Sequence, residues 1–305
     1  MKNKSWREFY YSPTTSATIA FAVLFGVCLG VQTLRIVQIW RSQFPSRMPR
    51  RSASLMMVPF AIGTACEMAG YIGRCFAIKN QTHLGAYIEQ MLMLIIAPPF
   101  LAASIYMIFG RLVVQLGANE LCPVPRKYLT TIFVSGDIAS IVVQGIGGGM
   151  MSGTDLDRVR VGQKVVVVGL FIQIVFFLLF VYAETRLFFR LRSTPTNVAF
   201  KTRHYPGRFH NWHATLISMF AVSMLILVRS VYRVVEFIQG FSGYISSHEW
   251  YLFVFDSSLM FLVVITMMYQ DVAIVLLRTA EPAEVSEPGE EYKRSEVIGE
   301  TFEVL

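Results

Sequence analysis

Charge is scarce in this 305-residue chain. Only 15% of residues are Asp, Glu, Lys or Arg, against 54% hydrophobic, and mean hydropathy is +0.51. Soluble globular domains carry about a quarter charged residues, so a soluble domain is excluded. Cysteine is thin too: four residues, none in CxxC spacing, offer no metal or redox motif. Five histidines are too dispersed for a membrane-embedded zinc hydrolase, since His248 alone serves the outer side of a late hydrophobic run. His210 and His213 lack a third ligand. No lysine occurs between Trp250 and Arg278, which excludes a retinal Schiff base on the last run. The connections 79–90 and 151–164 lack the cysteine that would bridge a rhodopsin-like receptor. Gly147, Gly148 and Gly149 have no Lys–Ser/Thr after them and no strand before, so they read as a flexible helix end, not a phosphate cradle. No internal repeat is visible, which weighs against an inverted-repeat transporter. The expectation is a protein without catalytic residues, metal, cofactor or nucleic-acid partner.

Seven apolar runs are long enough to cross about 30 Å of hydrocarbon: 16–40, 53–78, 85–115, 128–150, 164–187, 213–240 and 250–278. The first follows a polar N-terminus without a cleavage signature, so it reads as a transmembrane helix, not a removed signal peptide. Pro98 and Pro99 predict a kink in the third. The fold class is all-α: a polytopic seven-helix membrane bundle over 16–278. A short N-terminal segment, 1–15, precedes it. An acidic tail, 279–305, follows and lacks apolar periodicity, the mark of disorder.

Orientation follows from the basic loops. Arg41, Arg47, Arg50 and Arg51 flank the first connection, Arg126 and Lys127 the third, and Arg190, Arg192, Lys201, Arg203 and Arg208 the fifth. The even-numbered connections carry fewer. The positive-inside rule then places the N-terminus outside and the C-terminus in the cytosol. The sequons at Asn3 and Asn80 fall outside on this topology, and Asn3 is the better glycosylation candidate because Asn80 sits too near the bilayer.

Several charges lie where lipid should be. Each costs about 2.5–3.5 kcal/mol on insertion scales, so such residues face the bundle interior and find partners. Glu67 and Arg74 share a face of the second run. Glu89 lies near the outer end of the third. Asp137 and Gln144 share a face of the fourth. Arg229, Arg233 and Glu236 form a stripe on the sixth, and Glu249 and Asp256 one on the seventh. Nearly all fall in the outer half, with Asp137 near the middle, which implies a polar, partly paired cavity there. The inner half below it is mostly apolar apart from Gln173 near the middle and Glu184 and Asp271 near the cytosolic ends. Glu67/Arg74 and Arg233/Glu236 are the expected pairs. The excess of acid suits a cationic or zwitterionic ligand such as an amine headgroup. The alternative is that the pairs only fix helix register. Asp137 and Asp256 lie deepest and are candidates to bind ligand or carry a proton.

The blocks EMAGYIGR (67–74), LIIAPPFLAASIYMIFGR (94–111), DIASIVVQGIGGG (137–149), GLFIQIVFF (169–177), RSVYRVVEFIQG (229–240) and HEWYLFVFDSSLM (248–260) resemble the fungal lipid-translocating exporter family. Its members include sphingoid-base-resistance and aminocholesterol-resistance proteins. The resemblance implies a seven-helix protein of the plasma membrane or an endomembrane. It would move membrane lipids or amphiphilic small molecules, sphingoid long-chain bases among them, and confer resistance to toxic lipophilic compounds. A seven-helix lipid or stress sensor, signalling through its cytosolic loops and tail, is the other reading.

Overall fold

The computed structural model describes residues 13–41, 50–79, 84–118, 120–123, 125–151, 156–196, 199, 212–240, 243–245 and 248–270. Asn3, most of the basic fifth connection and the tail lie outside them. Helices α1 (Thr15–Arg41), α2 (Arg50–Lys79), α3 (Leu84–Gln115), α4 (Arg126–Met151), α5 (Leu156–Ser193) and α6 (Trp212–Gln239) are continuous. A seventh helix joins α7 (Glu249–Leu252), a π-helical stretch (Phe253–Ser258) and α8 (Leu259–Gln270). All seven are long and apolar enough to cross a membrane. Apolar side chains cover their outer faces, Val23, Val27, Ile138, Val142, Val168 and Val175 among them. Exposed aromatics ring both ends: Tyr244 and Trp250 at one, Trp40, Tyr128 and Tyr269 at the other, as expected of side chains seated at membrane–water interfaces.

Consecutive helices pack in sequence, and α8 returns against α1 to close the ring. Helix α3 also touches α6 and is the most buried element. Its Leu101, Ile105, Tyr106, Phe109 and Leu112 anchor the main apolar core with Phe133, Phe177, Phe180 and Leu216. Helix α5 begins eight residues before the expected span. At 38 residues it is about 57 Å long, so its charged ends stand clear of the hydrocarbon.

The glycines at the end of α4 correct the expectation of a flexible terminus. The helix runs on to Met151, and Gly147 is part of a close seam with α5. A Cβ on Gly147 would lie 2.7 Å from the Gly162 carbonyl oxygen, and one on Gly162 would lie 2.6 Å from that of Gly147. Backbone cannot yield as a side-chain tip can. Gly162→Val should therefore destabilise the protein by about 1–3 kcal/mol, measured as loss of thermal stability in detergent. An exposed control, Gly149→Ala, should not, because nothing lies within 4 Å of its Cβ position.

Candidate functional site

Asp256 organises the site. It is wholly buried, with its carboxylate between two arginines of α6. Arg233 grips it with both arms, Nε donating to Oδ1 at 3.2 Å and Nη2 to Oδ2 at 2.5 Å. This fork is the strong geometry for guanidinium and carboxylate. Arg229 places Nε 2.6 Å from Oδ1, though that N–H does not point at the oxygen. Arg233 also donates from Nη1 to Glu236 at 2.9 Å, one turn along its own helix, as expected. Relative exposure is 0% for Asp256, 2% for Arg229 and 4% for Arg233. The charges are therefore packed on one another and do not line an open vestibule, which corrects the expected cavity.

Arg229 reveals why α3 carries prolines. Its Nη2 donates to the Leu94 carbonyl. In a regular helix that carbonyl accepts from the N–H four residues on. Here that residue is Pro98, which has no N–H. Proline frees the acceptor, and a buried arginine takes it. The π-helical stretch plays the matching part on the seventh helix. The consecutive residues Asp256 and Ser257 are both fully buried, Asp256 against α6 and Ser257 against α2, where its hydroxyl pairs with that of Tyr71. Ser257 and Ser258 also return hydroxyl hydrogen bonds to the carbonyls of Leu252 and Phe253. Such insertions recur at functional sites.

Helix α2 adds Glu67, Tyr71 and Arg74 along one stripe. Arg74 does not pair with Glu67, contrary to expectation. Its Nη2 donates to Glu249 at 2.6 Å, while its guanidinium carbon lies 5.6 Å from the centre of the Phe253 ring. Glu249 in turn accepts the Thr14 N–H through both oxygens, at 3.0 and 2.8 Å. Tyr71 stacks on Phe21 and Phe25 of α1. Glu67 is 0% exposed, and neither of its oxygens has a hydrogen-bond partner. Its electrostatic neighbours are Arg229, Asp256 and Arg233. The site thus sets three arginines against four carboxyl groups, and Glu67 is the one left over.

Three expected members do not join it. Glu89 is exposed on the outer surface of α3. Gln144 donates from Nε2 to Gln173 of α5 at 3.0 Å. Asp137 stands beside the Tyr106 hydroxyl of α3, without a hydrogen bond of good geometry. The expected acid excess therefore shrinks to one carboxyl. The opposite half of the bundle packs the main apolar core and also holds polar contacts. Gln32 donates to Thr64 at 3.0 Å, Ser104 to the Met56 carbonyl at 2.5 Å, Arg35 to the Met268 carbonyl at 2.5 Å and Ser223 to Glu184 at 3.0 Å. The sequence reading missed Tyr71, Ser257 and the Leu94 carbonyl. Tyr71 was findable, lying midway on the Glu67–Arg74 stripe, and so was Leu94, four residues before a proline.

Fold and site together define a polytopic seven-helix membrane protein with a buried ion-pair network joining its second, third, sixth and seventh helices. The family model described as RTA1 like protein matches residues 60–278, and the chain belongs to that family. It is 39% identical to Protein RTA1 of Saccharomyces cerevisiae over 282 residues, covering 87% of this chain and 84% of the relative. It is 35% identical to that yeast's Protoporphyrin uptake protein 1 over 279 residues, 84% of this chain and 89% of the relative. It is 28% identical to the yeast Sphingoid long-chain base transporter RSB1 over 283 residues, 84% and 70%. No solved structure matches.

Proposed function

We propose that this protein translocates amphiphilic lipids that carry an amine, sphingoid long-chain bases in particular, and that Glu67 with the ion-pair network receives the headgroup. The observation that carries the reading is the uncompensated Glu67 carboxyl, buried beside a network whose other acids are each paired with an arginine. A buried carboxylate without a partner is costly, and an ammonium group supplies what is missing. The name of the yeast sphingoid-base relative supports the substrate class. The test is movement of a fluorescent sphingoid base across vesicles containing the purified protein. Transfer should exceed that of empty vesicles and should fall for an N-acetylated analogue, which has lost its positive charge. Equal transfer of both would refute amine recognition.

The reading extends to topology and place. The N-terminus faces outward, the protein resides in the plasma membrane, and export of the base confers resistance to it. Asn3 then acquires glycan in a eukaryotic host. Asn3→Gln should abolish an endoglycosidase-sensitive gel shift, and a wild-type chain with no such shift while its N-terminus resists protease in sealed cells would reverse the orientation.

A further inference from the structure

A second line of buried polar groups runs through α3, α4, α5 and α6, apart from the ion-pair network. On α4, Asp137 and Gln144 share a face seven residues apart, about 10 Å. On α5, Gln173 and Glu184 are eleven residues apart, about 16 Å. Gln144 is bonded to Gln173, and Glu184 accepts from Ser223 of α6. The groups are not saturated. Both oxygens of Asp137, the Tyr106 hydroxyl, Gln144 Oε1 and Glu184 Oε1 are buried without a hydrogen-bond partner. Asp137 is 3% exposed and Glu184 1%. No arginine or lysine among the described residues neutralises either. Tyr106 is the titratable group facing Asp137, and Ser223 is the polar group facing Glu184.

Between the two acids lies an apolar barrier. The Tyr106 ring is 4.6 Å from Phe180 and 5.4 Å from Phe133, and Phe133 meets Phe180 edge-on at 5.4 Å. Phe177 and Phe180 fall between Gln173 and Glu184 on α5, and Phe133 lies one turn from Asp137 on the Glu184 side.

We propose that Asp137 and Glu184 are two proton-binding stations of a transmembrane proton path, held apart in this conformation by the Tyr106–Phe133–Phe177–Phe180 rings. Asp256 is clamped by two arginines that supply its counter-charge; Asp137 and Glu184 have none. An acid buried without counter-charge is tolerated as the neutral form and must lose its proton when water reaches it. Chemically, a hydronium O–H bond breaks as the carboxylate of one acid takes the proton. That acid's O–H bond then breaks as water, admitted when the rings part, carries the proton to the other acid's carboxylate. The second O–H bond breaks as the proton returns to water. That this flux drives lipid movement rests on the translocation reading above. That the acids bind protons does not.

The test uses the full chain in vesicles, read by infrared difference spectroscopy during a pH titration. Asp137→Asn and Glu184→Gln should each remove one protonated-carboxyl band. Tyr106→Phe, which keeps both acids, should shift the Asp137 band, so the assignment survives even if Asp137→Asn misfolds. Bands unchanged in all three variants would overturn it. In the same vesicles a pH gradient should accelerate transfer of the fluorescent sphingoid base by the wild type, and Asp137→Asn should lose that acceleration. Retained acceleration overturns the coupling. Absent transfer by the wild type refutes the translocation reading and leaves the infrared result standing.

Discussion

Asp256→Asn should destabilise the protein by about 3–5 kcal/mol, the usual cost of removing one partner from a buried ion pair. Arg229 and Arg233 both turn to this carboxylate, and asparagine takes away the counter-charge they share. Arg233 would keep Glu236, but Arg229 would keep only the Leu94 carbonyl. Thermal denaturation of purified protein in detergent reads the loss. The contrast is Arg74→Gln, at the end of the bundle, where Glu249 is partly exposed and also holds the Thr14 N–H. Its cost should be smaller, because the carboxylate left behind reaches solvent and keeps a backbone donor. An Asp256→Asn protein as stable as wild type would mean that the network is not what holds α6 to the seventh helix.

Glu67→Gln should behave in the opposite way. No hydrogen bond is lost, because neither oxygen makes one, and the amide fills nearly the same volume. A buried acid that lacked a hydrogen-bond partner is removed at the same time. Stability should stay within about 1 kcal/mol of wild type, or rise. Transfer of an amine-bearing lipid should nonetheless be lost, as the site loses its uncompensated acid. The two variants divide the two readings of the cluster. A purely structural network loses stability at Asp256 and nothing at Glu67; a headgroup site loses transport at Glu67 with the fold intact.

The seven helices were legible because each apolar run is long enough to cross hydrocarbon, and because proline on α3 did not end the helix. The stripes of charge were legible too, since spacings of three, four and seven fix a helix face. Partner choice was not. Glu67 and Arg74 share a face but lie two turns, about 10 Å, apart, so Arg74 turned to Glu249 on another helix. Asp137 and Gln144 carry the same kind of signal as Glu67, yet the packing order of the helices sends them to α3 and α5. Nothing in FVFDSS announces a π-helical stretch, although it is what buries Asp256 and Ser257 side by side. The glycines of α4 misled because a close seam and a loose end share a composition; only the facing Gly162 distinguishes them.

The central claim is that the unpaired Glu67 receives an amine-bearing lipid. It is tested most directly by transfer of a fluorescent sphingoid base through vesicles containing Glu67→Gln protein that has first passed a thermal-stability check. The expected result is wild-type stability with transfer reduced to that of empty vesicles. Wild-type transfer by a stable Glu67→Gln protein would contradict the claim and leave the cluster as a device that holds the helices together.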